Sequence, residues 1–223
     1  GCADFLTALY FDVLNHNPPK FSLSGAGQDM FFLSNGHISP AWYSVLARSG
    51  YFEVKELSTF RLIDSRLQGH PTPAEHLPGI RVASGSLGQG LSVAAGAALV
   101  YTLHGDGELQ EGQIWEAVMF AAARKIDNLI ATVDFNGKQI DGPTDQVMSL
   151  GDLKAKWLAF GWEVVETNGN DMAQLLEGFA QAKKLTGNGK PVCILMRTEM
   201  GMGVDYMMGT HKWHGKAPND EEF

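Results

Sequence analysis

Along the second half of the chain the apolar positions switch repeatedly between a helical period and short unbroken runs. Gly88–Leu99 reads as an alanine-rich helix, Val100–Leu103 as a strand, Glu108–Lys125 as a helix and Leu129–Phe135 as a buried aliphatic strand. The alternation continues: Asp152 caps a helix that Gly161 ends, Trp162–Thr167 is a strand, Asp171 caps Met172–Leu185, and Val192–Thr198 is a strand. Helix and strand in strict turn predict an α/β fold, a doubly wound and largely parallel sheet with helices on both faces. Upstream, Phe5, Leu6, Leu9, Tyr10 and Val13 form a helical stripe. After a loop at Asn15–Pro19 come an apolar run at Met30–Leu33 and helical patterns near Ala41–Arg48 and Val54–Phe60. With no solenoid repeat and no low-complexity linker, one domain over residues 1–223 is expected.

Two junctions are abrupt. The first helix begins at the start of the chain, behind Gly1-Cys2-Ala3-Asp4 and without a basic leader, so a preceding segment is expected to be missing. Between the helix from Gly88 and the strand from Val100 no residue is left for a turn, although such connections take about 2–6 residues. A surface loop is therefore expected to be missing between Ala98 and Tyr101.

Composition narrows the function. Seventeen basic against 25 acidic residues give a net charge of -8, which disfavours a nucleic acid or anionic membrane partner. A phosphate held here needs a metal or backbone amides. Cys2 and Cys193 are too few and too far apart for a disulfide framework or a metal pair, so a reducing, cytoplasmic setting is the expectation. No apolar run is long enough to span a membrane. Glycine is in excess, at 26 residues, and seven of these fall between Gly85 and Gly112.

In parallel α/β sheets ligands bind beyond the carboxyl ends of the strands. One predicted strand runs into His104-Gly105-Asp106-Gly107 and the next into Asn136-Gly137. The spacing of about thirty residues is that of one crossover unit, so Asp106 and Asn136 should emerge side by side. A carboxylate and an amide oxygen are hard ligands suited to Mg²⁺ or Ca²⁺, and the glycines flanking Asp106 let a phosphate approach the backbone. The pair therefore suggests a metal-bridged diphosphate. Asp-Gly and Asn-Gly are also common turn dipeptides, and spacing alone leaves that reading at even odds. A second glycine cluster, Gly85-Ser86-Leu87-Gly88-Gln89-Gly90, opens a helix whose Ser92, Ala94, Ala95 and Gly96 form a small-residue face, which favours the ligand site. Neither cluster matches the dinucleotide or P-loop patterns.

Gly105-Asp106-Gly107 followed by Asn136 resembles the thiamine diphosphate signature, and its surroundings resemble transketolase. Leu33–Pro40, Leu67–Pro71, Gly85–Leu91, Gly105–Glu116, Asn136–Gly142 and Lys212–Pro218 are similar to that family in its order. The likeness covers nearly the whole chain but only the N-terminal, diphosphate-binding part of a transketolase, as in the N-terminal subunit of a split enzyme. The pyrimidine-binding and C-terminal domains are absent.

The resemblance implies that Asp106, Asn136 and the Lys138 carbonyl bind Mg²⁺, for which Ca²⁺ could substitute. It places His37 and Gly107 at the diphosphate, Gly85, Ser86 and Leu87 beside the cofactor, Ile140 near the thiazolium, and His70 and His214 at the sugar, His214 also reaching the diphosphate. Glu111 and Glu116 would lie where paired active sites meet. His16, His76, His104 and His211 are read as structural or surface residues. Lys138 stands where an aliphatic side chain is common, and the family's additional histidine motif before Cys2 is missing. The implied activity is two-carbon ketol transfer between sugar phosphates, in carbohydrate metabolism of the pentose phosphate kind. It would require a partner chain that supplies the pyrimidine-binding domain, in a two-fold assembly. A deoxyxylulose phosphate synthase-like enzyme, a sulfosugar transketolase or a non-catalytic scaffold remain as alternatives.

Overall fold

The unbroken apolar runs become the sheet. In the computed structural model, residues 1–94 and 99–222 are described. Five strands, β1 (Met30–Leu33), β2 (Val100–Gly105), β3 (Leu129–Phe135), β6 (Glu163–Asn168) and β7 (Val192–Arg197), form one parallel sheet in the order β1-β2-β3-β7-β6. A two-stranded hairpin, β4 (Lys138–Gln139) with β5 (Gly142–Pro143), follows β3. The central strands are buried on both faces, which is why they read as continuous Val, Ile and Leu rather than as an alternation. Edge strand β6 does alternate, with Glu166 and Asn168 outward.

Side chains of successive strand residues go to opposite faces and build two cores. Phe31, Leu33, Tyr101, Leu103, Ile130 and Ile194 pack under α1 (Cys2–Ala8), α2 (Ser39–Arg48) and α7 (Met172–Leu185). Met30, Phe32, Leu129, Ala131, Val133 and Leu195 pack under α3 (Gln89–Ala94), α4 (Gly112–Ala123) and α6 (Leu153–Ala159). Helices on both faces of a parallel sheet are the doubly wound arrangement expected from the pattern. Asp152 and Asp171 cap α6 and α7 as expected, Asp171 Oδ1 accepting from the Ala173 and Gln174 amides.

Three elements differ from the pattern. The helix expected over Glu108–Lys125 begins instead as a 3-10 turn, Gly107–Gln110, then passes through extended Glu111 before α4 starts. The cause is Glu108, whose carboxylate turns inward to hydrogen bonds and so leaves the outer helix path. The hairpin and the short helix α5 (Thr144–Met148) carry too few apolar positions to show a period. The helix from Gly88 is described to Ala94. The remaining expected turns, Ala95 and Gly96 of its small-residue face, and the junction thought to lack a loop at Ala98 lie outside the described residues.

Candidate active site

Strands β2 and β3 are parallel neighbours with Gly105 opposite Asp134, so their following residues leave the same sheet edge. Asp106 and Asn136 thus come together as the spacing predicts. They open on a cavity of about 570 Å³. Asp106 is only 1% exposed. Burial pushes its carboxyl up to about 7, aided by nearby Asp134 and opposed by the amides of Gly137 (2.6 Å) and Gly107 (2.9 Å). Asn136 Oδ1 accepts from the Lys138 amide at 2.9 Å, and its Nδ2 donates to Asp134 Oδ2 at 3.2 Å. Lys138 Nζ pairs with Glu199 at 2.7 Å.

Of the other expected residues, His37, Leu87, Gly107, Ile140, Glu111 and His214 line the same cavity. The His37 and His214 rings stand 5.4 Å apart. Burial holds both imidazoles below the ordinary histidine value, and for His37 the neighbouring His214 adds to this. Both are neutral at pH 7, each with one N–H donor and one acceptor nitrogen. His70, Gly85, Ser86 and Glu116 do not line the cavity. His70 lies directly on Gly85: a Cβ built there, at φ +117°, would sit 2.6 Å from His70 Cδ2. Glu116 is exposed on α4 beside Met119 and Phe120, 57% and 51% exposed.

The glycine excess has a more local cause than the sequence suggests. A Cβ at Gly90 would meet Ser34 Cβ at 2.6 Å, and one at Gly107 would meet Gln139 Cβ at 2.8 Å. Packing of protein on protein therefore accounts for Gly85, Gly90 and Gly107, while Gly105 and Gly112 face open space. The amides beside Asp106 are also not all turned to a ligand: Gly105 N donates to Glu108 Oε2 and Gly107 N to Asp106 Oδ1.

Three residues of the site lack a signal in the sequence reading. Asp134 accepts from Asn136 Nδ2, from the Thr198 hydroxyl and, at 3.0 Å, from Cys2 Sγ. It fixes which way the Asn136 amide points. Glu108 and His104 form a buried pair at 3.3 Å under the cavity. The spacings Asp134-x-Asn136 and His104-x₃-Glu108 would have exposed both, since each pairs a polar side chain inside an apolar strand with a partner near by. His16 is structural as expected, bonded to Tyr51 Oη and the Tyr10 carbonyl.

The donor set suits a hard cation with a diphosphate. A carboxylate, an amide oxygen and a backbone carbonyl are oxygen ligands, and among the described residues no group of three His, Cys, Asp or Glu side chains could hold a metal unaided. A cation here takes its remaining ligands from a bound phosphate, as Mg²⁺ does. Asn35 Oδ1, buried on the cavity without a hydrogen-bond partner, is an acceptor for a ligand donor. Both cysteines are free and buried, and among the described residues no helix is long and apolar enough to cross a membrane.

Comparison with known proteins fits this geometry. The family model for the thiamine diphosphate binding domain of transketolase matches residues 1–100 and 98–223. One of the two chains of an apulose-4-phosphate transketolase from Phocaeicola vulgatus is 40% identical over 100% of this chain and 81% of that protein. The 6-deoxy-6-sulfo-D-fructose transketolase subunit SqwG of a Clostridium species is 39% identical over 98% of this chain and 81% of its own length. Human transketolase is 35% identical, with 97% of this chain covering 35% of it. A Pichia stipitis transketolase in complex with fructose 6-phosphate superposes with a TM-score of 0.87 at 32% identity, over 96% of this chain and 34% of that one. The chain belongs to the transketolase family, a family of transferases, and corresponds to its N-terminal, thiamine diphosphate-binding part, as do the N-terminal chains of split transketolases.

Proposed function

We propose that this chain is the diphosphate-binding subunit of a split transketolase and moves a two-carbon ketol unit from a ketose phosphate to an aldose phosphate once a partner chain adds the pyrimidine-binding domain. The observation that carries this reading is the meeting of Asp106 and Asn136 at neighbouring strand ends, on a cavity that also receives His37 and His214. Asp106, Asn136 Oδ1 and the Lys138 carbonyl hold Mg²⁺, with Ca²⁺ as a possible substitute. The metal offsets diphosphate charge that a chain of net charge -8 does not offset itself.

Thiamine diphosphate, when bound, supplies the electron sink that cleavage of a ketose carbon–carbon bond needs. The residues of this chain do the rest by position and proton exchange. Gly107 and His37 contact the diphosphate, and Gly85, Ser86 and the Leu87 carbonyl border the cofactor, with Ile140 packed against its ring. His214, neutral through burial, donates an N–H to a phosphate or sugar oxygen and accepts a hydroxyl proton on its other nitrogen. His70, at the rim on Gly85, does the same for the sugar. Glu111 and Glu116 would face a second copy across a two-fold axis.

A second reading keeps the chemistry and changes the sugar. The relatives named for apulose 4-phosphate and sulfofructose are 40% and 39% identical to this chain, against 35% for human transketolase, which favours a donor outside the common ketose phosphates. The reading as a whole is tested by calorimetric titration of the chain, assembled with its partner, with thiamine diphosphate. Saturable binding that requires Mg²⁺ is expected, and Mg²⁺-independent binding or none would overturn it.

A further inference from the structure

Glu108 is 3% exposed, and it lies two residues beyond Asp106 in a turn where the apolar pattern leads to helix. A carboxylate is costly to bury unless donors surround it. Here they do. Oε1 accepts from the Ser34 hydroxyl, from the Gly88 amide at 2.8 Å and from His104 Nδ1 at 3.3 Å, while Oε2 accepts from the Gly105 amide at 3.2 Å. A carboxylate only accepts, so Nδ1 carries the proton on the His104 bond, and His104 Nε2 is anchored at 2.8 Å to Thr102 Oγ1 on the same strand. Ser34 Oγ also receives the Gly90 amide at 3.3 Å.

These donors come from three separate loops, and each loop carries a residue of the cavity. Ser34 precedes Asn35 and His37 at the end of β1. Gly88 follows Leu87 at the entrance to α3, and Gly105 precedes Asp106 at the end of β2. Sequence separates the three by dozens of residues, yet one side chain ties them together beneath the cavity floor. We propose that Glu108 is a positioning residue of the site: its buried carboxylate holds the loops at residues 34–37, 84–88 and 105–107 in the arrangement that accepts the cofactor, without touching the reacting atoms. The proposal rests on the thiamine diphosphate reading of the cavity.

The shape of the network says what replaces Glu108 poorly. Glutamine keeps the volume but must turn an NH₂ either toward the Gly105 amide or toward the Ser34, Gly88 and His104 donors, and both choices set donor against donor. Aspartate is one methylene too short to span from β2 to the other two loops.

The test is amide hydrogen exchange on the cofactor-free chain, followed by cofactor titration with Mg²⁺. In Glu108→Gln, peptides covering 34–38 and 84–90 should exchange about tenfold faster, the effect of one charge-assisted hydrogen bond, while those in β7 and α7 keep their rates. Thiamine diphosphate affinity should fall about tenfold, with kcat of the assembled enzyme at saturating cofactor changed much less. Ser34→Ala, a milder change that removes one donor to Glu108 and the acceptor of the Gly90 amide, should loosen the same two peptides to a smaller degree. Uniformly faster exchange throughout the sheet in both variants would show a merely structural role and overturn the proposal, as would loosened loops with unchanged cofactor affinity. If the unaltered chain binds no cofactor, the reading of the cavity fails. Local loosening in the exchange data, which need no ligand, would still establish the tie made by Glu108.

Discussion

The Gly137 amide donates to Asp106 Oδ2 at 2.6 Å, so the residue that ends β2 is tied to the turn that ends β3. One carboxylate therefore organises both loops that would hold the metal. Asp106→Ala removes a charged ligand and this tie together. Since loss of outer partners to metal ligands alone costs about 10–100-fold, Mg²⁺-dependent thiamine diphosphate affinity should drop at least about 100-fold. Calorimetry on the assembled protein would show it, and a drop of only a few-fold would remove Asp106 from the metal site.

His70 makes the contrasting case. It lies on Gly85 at the rim and does not line the cavity, so His70→Ala should leave cofactor affinity nearly unchanged. Its loss should appear in the sugar steps, as a fall of about 100-fold or more in kcat/KM for the ketose donor. Equal losses of cofactor affinity in His70→Ala and Asp106→Ala would contradict the separation of roles.

Gly85 joins these two parts. At φ +117°, with His70 Cδ2 2.6 Å from a built Cβ, Gly85→Ala is strained by backbone and by contact alike. Left-handed strain of this kind costs about 1–3 kcal/mol. The thermal midpoint should fall and the donor kcat/KM with it, because the methyl displaces His70. A variant with wild-type midpoint and rate would show that the loop moves aside without cost.

The sign of the pH dependence follows from His37 and His214. Both are held below the ordinary value by burial, whereas in the unfolded chain they titrate near about 6.5. Their contribution to stability is whole above the unfolded value and is lost as pH falls through the folded values, since the unfolded chain takes up protons that the fold refuses. Asp106, raised to about 7, acts with the opposite sign in an overlapping window, so the informative quantity is a difference between variants. His37→Asn should flatten the decline of the thermal midpoint below about pH 6.5 relative to wild type. Parallel curves would place the lost stability elsewhere.

The fold was legible because its central strands are buried on both faces: the runs Leu129–Phe135 and Val192–Arg197 have no other use in a chain of this composition. The convergence of Asp106 and Asn136 was legible for the same reason, since parallel neighbours one crossover apart must end together. What the pattern misplaced lies where a side chain departs from its period for a polar partner. Glu108 bends the expected helix into a 3-10 turn to reach Gly88 and His104, and periodicity holds no trace of a hydrogen bond formed across twenty residues. Glycine excess misled in the other direction, because a close approach by Ser34 or Gln139 demands the same residue as a close approach by a phosphate.

The central claim is that this chain holds the diphosphate end of the cofactor and depends on another chain for the rest of the site. Its most direct test is ketol transfer from a ketose phosphate to an aldose phosphate, with Mg²⁺ and thiamine diphosphate present, by the purified chain alone and by the chain mixed with a pyrimidine-binding-domain partner from the same source. The account predicts transfer by the mixture and none by the chain alone. Full transfer by the chain alone, or none by a mixture shown to form a complex, would contradict it.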